Sequence, residues 1–483
     1  MTIENRYPRG LLYIAEDNHQ REGAVANSGL QVGNDTPPAN EAVVHREPIE
    51  VSDFELADII EERLSSLMRV SGNHWYIATD FGWKRDADKQ IYAYVKSAIR
   101  ALTPESKYYT TQRMRSVITA LEGCQGLRVP VHMWDSDQAI LNTWAGIVDL
   151  KTGQIKERNE DDFVTKVAGV SPEAGPTPEF DKFLRETFPV EHWGDAQDEV
   201  IDFVLGMLSL AITGEQLVQQ FFFLWGSGAN GKSVLLDIMR DILGDYGITM
   251  KTSALMSGNQ TGKDYEIARL EGVRMAVASE LGRTDRWDEP LIKSLTGDSA
   301  IPIREIYGSP KEVVNQATLI IAGNHKPRFN GTDGGMVRRM VLVPFKAVVP
   351  KEARDPDLRS NIVRAEGGAI LHKLIKRLVR LRTEGLTQPQ VIQAATDDYV
   401  SQNDDLQAFF DDHCERLEGS WVSTDDLYRI FRIWKENRGE RPMAQSQWAP
   451  EFMDKFGLEK TRKGKQKITV FLGITLKDDA VLR

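Results

Sequence analysis

Eight residues, Gly226, Ser227, Gly228, Ala229, Asn230, Gly231, Lys232 and Ser233, fit the phosphate-loop pattern G-x-x-x-x-G-K-[ST]. An apolar run, Phe221 to Trp225, precedes them, and an amphipathic stretch opens at Val234. That strand–loop–helix setting is the one in which the pattern carries a mechanism. Successive backbone N–H groups of such a turn converge on an anion, and the N-terminus of the following helix adds positive dipole. Lys232 then reaches the β- and γ-phosphates of a nucleoside triphosphate, and the Ser233 hydroxyl joins the shell of a Mg²⁺ ion. The expected chemistry is binding and hydrolysis of a nucleoside triphosphate.

Kinases, GTPases, transporters and motors share this loop, so residues elsewhere must separate them. An apolar strand from Arg274 to Ala278 runs into Ser279 and Glu280. A carboxylate at that place polarises an attacking water and helps position Mg²⁺; taken alone, it equally suits a solvated acid at a strand end. A second strand, Leu319 to Ala322, leads through Gly323 to Asn324. An Asn at a strand tip can contact the γ-phosphate or orient the lytic water, although Asn-His also starts ordinary turns. Arg338 and Arg339 stand just before a third strand, 340–345. Arginine is the usual donor to transition-state phosphate charge and can come from a neighbouring subunit; by themselves, two arginines beside a strand also suit a plain surface. Their order after the phosphate loop favours function.

At this point the chain resembles the superfamily 3 helicases, a branch of the AAA+ ATPases. More narrowly, it is similar to the phage- and plasmid-encoded primase–helicases related to the poxvirus type. The phrases that carry the resemblance are FFFLWGSGANGKS, LEGVRMAVASE, LIKSLTGDSAIPIREIYG, LIIAGNHKP and GGMVRRMVLVPF, dense between 219 and 346 and extending over residues 52–480. WDSDQAILNTWAGIVDLKTG is similar to the domain that precedes such helicases. The resemblance implies a homo-hexameric ring that threads single-stranded DNA from a fork, fuelled by ATP bound between subunits. It implies Lys232 and Ser233 on phosphates and Mg²⁺, Glu280 as catalytic acid beside the metal, Asn324 as γ-phosphate sensor, and Arg338, with Arg339 as the alternative, as arginine finger. Many members carry two adjacent acids in the second motif; here the first place is Ser279. Unwinding in the 3′-to-5′ direction, a phage or mobile-element setting and replication-initiation partners come from the resemblance alone. A replication initiator or DNA-binding scaffold without processive unwinding is the alternative, and an ATPase that moves some other polymer, such as RNA, is a third.

The DNA-facing element is expected between Glu280 and Asn324. Ile301 to Ile306 and Glu312 to Asn315 flank a tight turn, Tyr307-Gly308-Ser309-Pro310, with Lys311 beside it. An aromatic ring for base stacking next to a lysine for phosphate suits a loop that tracks a strand. Lys293, Arg304, Tyr307 and Lys311 are the candidate contacts. A basic run near the end, Lys460, Arg462, Lys463, Lys465 and Lys467, either grips duplex backbone or is a solvated turn. Asp135 and Asp137 form a D-x-D pair of the type that two-metal polymerisation needs. Only about 80 folded residues precede them, too few for an ordinary polymerase domain, so the pair is expected to face solvent.

Composition bounds these readings. A chain of 483 residues exceeds one core, so several domains are expected. A net charge of −11 argues against bulk electrostatic coating by nucleic acid but permits a local basic channel. Cys124 and Cys414 are the only cysteines, so no disulfide framework or cysteine zinc site arises. No apolar run approaches a membrane span, and no signal pattern opens the chain, so a cytoplasmic location without membrane contact is expected.

The elements that must position these residues follow from periodicity. Residues 1–50 lack any period and are expected to be a disordered tail. Ser52 and Glu55 have capping-box spacing, and Leu56, Ile59, Ile60, Leu64, Leu67 and Met68 continue at helical spacing. Helices are predicted at 91–102, 113–121, 180–188 and 200–212, a hairpin region at 140–150, and strands at 221–225, 274–278, 317–322 and 340–345. The alternation of strands and helices predicts an α/β nucleotide-binding core. One long helix, 361–381, and then helices at 405–415, 425–437 and 445–456 with a terminal hairpin at 467–476 suggest a winged-helix module. With the resemblance, the organisation becomes a tail (1–50), a mixed α+β N-terminal domain (51–175), a helical collar or linker (176–218), an AAA+ phosphate-loop ATPase core (219–350), its C-terminal helical part (351–395) and the winged-helix module (396–483).

Overall fold

The computed structural model describes residues 51–102, 109–258, 262–282, 285–297, 300–304, 310–329, 334–438, 442–464 and 467–477. The expected tail at 1–50 lies outside them.

Helix α1 (Asp53–Leu64) opens on a closed capping box. The Glu55 N–H donates to Ser52 Oγ at 3.2 Å and the Ser52 N–H to the Glu55 carboxylate at 2.8 Å. The helix stops at Leu64, and Met68, which continues its apolar spacing, instead opens an antiparallel meander. Its strands are β1 (Met68–Ser71), β2 (His74–Thr79) and β3 (Gly82–Arg85). Helices α2 (Gln90–Leu102) and α3 (Thr111–Leu121) complete a core around Leu56, Ile60, Val95, Val117 and Leu121. A second antiparallel sheet follows, β4 (Ile140–Thr143), β5 (Gly146–Asp149) and β6 (Ile155–Lys156). Its Leu141 and Val148 pack with the large cluster of the main sheet.

The main sheet lies within the run α4 (Pro178–Thr187), α5 (Val190–Trp193), α6 (Gln197–Leu210), β7 (Phe221–Trp225), α7 (Lys232–Leu243), β8 (Gly247–Lys251), α8 (Lys263–Ala268), β9 (Met275–Ser279), α9 (Glu289–Leu295), β10 (Ile301–Arg304), β11 (Pro310–Val313), β12 (Thr318–Gly323), α10 (Gly334–Val337) and β13 (Met340–Pro344). Five strands lie in the order β13-β7-β12-β9-β8, all parallel. Because side chains alternate along a strand, Phe222, Leu224, Val277 and Ile320 enter one apolar layer, and Phe221, Phe223, Ala276 and Ile321 enter the other. The first layer is closed by Phe180, Phe183, Phe203 and Met207 of the segment read as collar or linker, and by the long helix α11 (Leu358–Glu384). The second contains Tyr399 of α12 (Gln390–Gln402).

The hairpin β10–β11 pairs Ile301 with Val313 and buries Ile301, Ile303 and Val313 against the second layer. Its turn, with Tyr307, lies outside the described residues; Arg304 and Lys311 stand on the paired strands.

The C-terminal module has its own aromatic core of Phe409, Phe431, Trp448, Phe452 and Phe471. Its elements are α13 (Asp405–His413), β14 (Cys414–Ser423), α14 (Thr424–Asn437), α15 (Gln445–Phe456), β15 (Lys460–Lys463) and β16 (Ile468–Leu476), with the sheet ordered β14-β16-β15. Two local expectations change here. The helix predicted to Glu415 ends at His413, where β14 begins. The terminal hairpin predicted at 467–476 is instead built from β15 and β16. The basic run, read either as a duplex contact or as a solvated turn, has Lys460, Arg462 and Lys463 on exposed β15.

Candidate nucleotide site

The phosphate loop joins β7 to α7 with an unusual backbone. Gly228 (φ +107°), Ala229 (φ +51°) and Gly231 (φ +84°) all adopt positive φ, where glycine is favoured and alanine is tolerated only under constraint. The constraint comes from the chain after β13. The Val349 N–H donates to Ala229 O at 2.7 Å, and Asn230 Nδ2 donates to Phe345 O at 3.1 Å. A Cβ on Gly226 would stand 2.4 Å from Phe345 O, so the loop requires glycine there by close approach.

Lys232, the first residue of α7, is only 6% exposed. Its ammonium donates to Gly226 O at 2.8 Å, to Asn230 Oδ1 at 2.9 Å and to Asn324 Oδ1 at 3.4 Å. Burial pushes its pKa down to about 8, because the charged form loses hydration. Ser233 is exposed beside it.

The sheet order brings the two distant candidates to this loop. Strand β12 sits between β7 and β9 in register, with Ala322 beside Leu224 on one side and Ser279 on the other. One residue further, Gly323 is level with Trp225, and Glu280 follows Ser279 at the same edge. With strands about 4.8 Å apart, Glu280 lies roughly 10 Å across the sheet from the end of β7, with Asn324 between. Ligands of open α/β sheets bind outside these carboxyl ends. Glu280 is exposed and has φ +73°, a left-handed conformation that costs a non-glycine residue on the order of 1–3 kcal/mol. Ser279 holds the strand end through its carbonyl, which accepts a hydrogen bond from the Thr252 hydroxyl. Ser233 and Glu280 offer hard oxygen donors at this edge, and such donors fit Mg²⁺.

Arg338 is exposed and lies before β13 at the opposite end of the sheet, since Met340 pairs with Phe221. The five steps from Phe221 to Gly226 span about 17 Å of strand, so Arg338 is remote from its own phosphate loop. Arg339 is partly buried, and its Nη1 donates to Gly335 O at 2.8 Å. Lys293 lies on α9, away from the loop in sequence and partly buried.

Two features were missed by sequence reasoning. Thr187 backs the loop, for a Cβ on Gly231 would meet its Oγ1 at 2.7 Å. Lys326, two residues past Asn324, lies 4.5 Å from the Trp225 ring; its place in the run Asn324-His325-Lys326-Pro327 was the available signal. The pair Asp135 and Asp137 does not face solvent together as expected. Asp135 is buried, and its carboxylate accepts from the Thr165 N–H at 2.7 Å and from the Thr165 hydroxyl. Asp137 is exposed and accepts from the Ala139 N–H at 2.9 Å. Asp137 makes a local turn bond, whereas Asp135 ties its segment to Thr165 and lies 3.7 Å from the Lys166 ammonium.

Fold and site define an α/β protein with a phosphate loop at the carboxyl edge of a parallel sheet. Its similarities are to viral replication proteins. A family model described as "D5 N terminal like" matches residues 57–189, and "Family of unknown function (DUF5906)" matches 224–339. "Putative helicase L207/L206" of Acanthamoeba polyphaga mimivirus is 24% identical over 339 residues, covering 64% of this chain and 34% of that protein. "Putative helicase 022R" of Frog virus 3 is 25% identical over 232 residues, covering 44% and 24%. "Primase D5" of Fowlpox virus is 29% identical over 133 residues, covering 26% and 17%. The chain thus spans about a third or less of the length of these relatives and is similar to D5-type primase–helicases over that part. Among solved structures, the apo C-terminal region of NrS-1 shares the fold, with a TM-score of 0.51 at 12% identity over 88% of this chain and 100% of that one. Among the described residues, no helix is long and apolar enough to cross a membrane.

Proposed function

We propose that this chain is an ATP-driven DNA motor, a 3′-to-5′ helicase of the D5 type acting in replication of a phage or mobile element. The observation that carries the reading is the convergence of Lys232, Asn324 and Glu280 on one sheet edge, with the Lys232 ammonium 3.4 Å from Asn324 Oδ1. The strand order that inserts β12 between β7 and β9 supports an AAA+ assignment, because it places a polar sensor between loop and acid.

ATP is the substrate: the loop's backbone N–H groups and Lys232 receive its phosphates, and Asn324 orients the lytic water toward the γ-phosphate. Glu280 accepts a proton from that water as the P–O bond breaks. Mg²⁺, held by Ser233 and the Glu280 side, supplies charge neutralisation for the phosphates. The remoteness of exposed Arg338 from its own loop supports a role at the neighbouring subunit's nucleotide, in a homo-hexamer. The order of helices and strands from α13 to β16, with the exposed basic strand β15, favours a winged-helix DNA contact.

The test is ATP hydrolysis with and without single-stranded DNA, combined with strand displacement on a forked duplex. Stimulated turnover with displacement is expected. Ring formation and origin footprinting without displacement would instead identify a replication initiator or scaffold. Tight ATP binding with no DNA-stimulated turnover would overturn the motor.

A further inference from the structure

The segment that leaves the nucleotide site runs into a second, more basic place. From Asn324 the chain passes through His325, Lys326 and Pro327 to Arg328, and there it borders a cleft of about 360 Å³. The cleft lies where the sheet edge and α12 meet α13 and α14 of the C-terminal module. Arg286, Lys326, Arg328, Lys435 and Arg438 line it, with Asp405 the one carboxylate among the described lining residues.

The backbone that carries two of these cations is fixed. Arg286 and Arg328 are partners in an isolated parallel bridge, held by the Trp287 N–H on Arg328 O at 3.0 Å and the Arg328 N–H on Asp285 O at 2.9 Å. Like charges set directly opposite one another destabilise an extended pair. Lys435 is 6% exposed, with its ammonium 2.5 Å from Asp405. The Arg438 guanidinium lies 4.4 Å from the Trp434 ring. The Lys326 ammonium lies 4.5 Å from the Trp225 ring and 5.3 Å from that of Tyr399. Asp405 pairs with Lys435, and Asp398 lies 3.9 Å from the Lys326 ammonium; five cations set against these carboxylates still leave the cleft basic. In a chain of net charge −11 it is a local reversal of sign that favours anionic partners.

The kind of anion follows from what the cleft lacks. Phe329 and Tyr399 are buried and meet edge to face at 5.3 Å, so they present no open ring to a base. A duplex, whose major groove alone is about 12 Å wide, does not enter a space of this size. The donors are charged side chains from three separate segments, which suits successive phosphates of a strand. Triphosphate sites are built instead on converging backbone N–H groups at a helix start, and that device is already present at Gly226 to Ser233.

We propose that this cleft grips the sugar–phosphate backbone of single-stranded DNA, as a contact separate from the β10–β11 hairpin. Its occupancy is transmitted to Asn324 through the short segment ending at Arg328. This rests on the reading of the chain as a DNA-dependent ATPase.

The experiment is binding of a labelled oligo(dT) to the full chain across a salt series, alongside ATP hydrolysis with and without that oligonucleotide. Arg286→Gln with Arg438→Gln should weaken oligonucleotide binding at least tenfold. It should also shrink the salt slope by about 1.4, since each lost single-strand phosphate contact removes about 0.7. Hydrolysis without DNA should stay within twofold, while DNA stimulation falls; Arg286→Lys with Arg438→Lys should keep the slope. Should the double variant fail to fold, Arg438→Gln alone reads half the slope change. Wild-type affinity and slope in a variant that still folds would overturn the proposal and leave the motor standing. A change in ADP affinity with oligonucleotide binding intact would overturn it too, assigning the cleft to free nucleotide phosphate. If the wild-type chain itself binds no oligonucleotide, the DNA-motor reading falls first and this proposal with it.

Discussion

The Lys232 ammonium lies 3.4 Å from Asn324 Oδ1, so the cation of the phosphate loop and the polar residue on the neighbouring strand share one contact before any phosphate arrives. A γ-phosphate entering the loop competes for both. Lys232→Ala should therefore abolish hydrolysis, and Asn324→Ala should lower kcat about 10²- to 10³-fold, the usual cost of removing one preorganised donor at a developing charge. Nucleotide affinity in Asn324→Ala should change by less than about tenfold, because the loop still binds the phosphates. Equilibrium binding of a fluorescent ATP analogue with steady-state turnover separates the effects. Equal losses in affinity and kcat would mean that Asn324 only props up Lys232.

The depressed pKa of Lys232 gives a pH signature. Burial holds it near 8 in the free protein against an ordinary value of 10.5. Bound phosphates favour the charged amine, so nucleotide binding above about pH 8 takes up a proton and affinity falls as pH rises. The free fold follows the opposite sign. It binds fewer protons at this site than the unfolded chain between pH 8 and 10.5, so this group's effect on stability becomes less unfavourable with rising pH. Calorimetric titrations at about pH 8.5 in buffers of different ionisation enthalpy should reveal the uptake. Buffer-independent heats would place a charged Lys232 in the free site.

Arg338 and Arg339 are told apart by their surroundings. Arg338 is exposed, whereas the Arg339 guanidinium bonds Gly335 O at 2.8 Å. Arg338→Ala subunits mixed with Lys232→Ala subunits should recover part of the ATPase activity, since some interfaces then pair an intact loop with an intact arginine. Arg339→Ala should show up as a lower Tm. Rings that form in every mixture yet never recover turnover would exclude a role for Arg338 across the interface.

Gly226→Ala tests how the loop is shaped. The added methyl would stand 2.4 Å from Phe345 O and 2.3 Å from Asn230 Nδ2. Backbone cannot yield at such contact, so the loop must move and Lys232 loses its acceptors. Nucleotide binding should be lost, with a destabilisation of about 1–3 kcal/mol typical of overpacking. Thermal unfolding with and without ATP checks this; a normal ATP-induced rise in Tm would show that the loop tolerates the methyl.

The parts of the site legible in the sequence are those in which chemistry and spacing are local. Gly226 to Ser233 form a contiguous pattern, and Glu280 and Asn324 each end an apolar strand whose composition identifies it. Their adjacency came only from the resemblance and was not legible in the spacing, because it depends on β12 entering between β7 and β9, and strand order is a long-range property. Strand β8 escaped because it is an edge strand with one buried residue, Met250, and no apolar run. Strand β14 escaped because Glu415 to Ser420 are exposed or partly so, and its first residues continue a helical spacing. Arg286 and Arg328 meet only through a bridge between distant segments, so the basic cleft has no signature along the chain.

The helical layer behind the site should depend on one buried acid. Glu366 of α11 is 6% exposed, and its two oxygens accept from the Glu179 and Phe180 N–H groups at 2.9 Å each. Helix α4 has Pro178 at its start and no side-chain cap of its own, so Glu366 satisfies its orphan donors and complements its dipole. The same helix carries Phe183 and Thr187, which stand within 3.4 Å and 2.7 Å of a Cβ placed on Gly231. Glu366→Ala leaves the buried Phe180 N–H and the part-buried Glu179 N–H without their acceptor and should cost about 1–3 kcal/mol, mostly at Phe180. Glu366→Gln keeps one acceptor oxygen and should recover part of the loss. Because α4 backs the phosphate loop, the alanine variant should also weaken ATP binding while leaving oligonucleotide binding unchanged. A Tm equal to wild type, measured by calorimetry, would show that water replaces the carboxylate at the helix start.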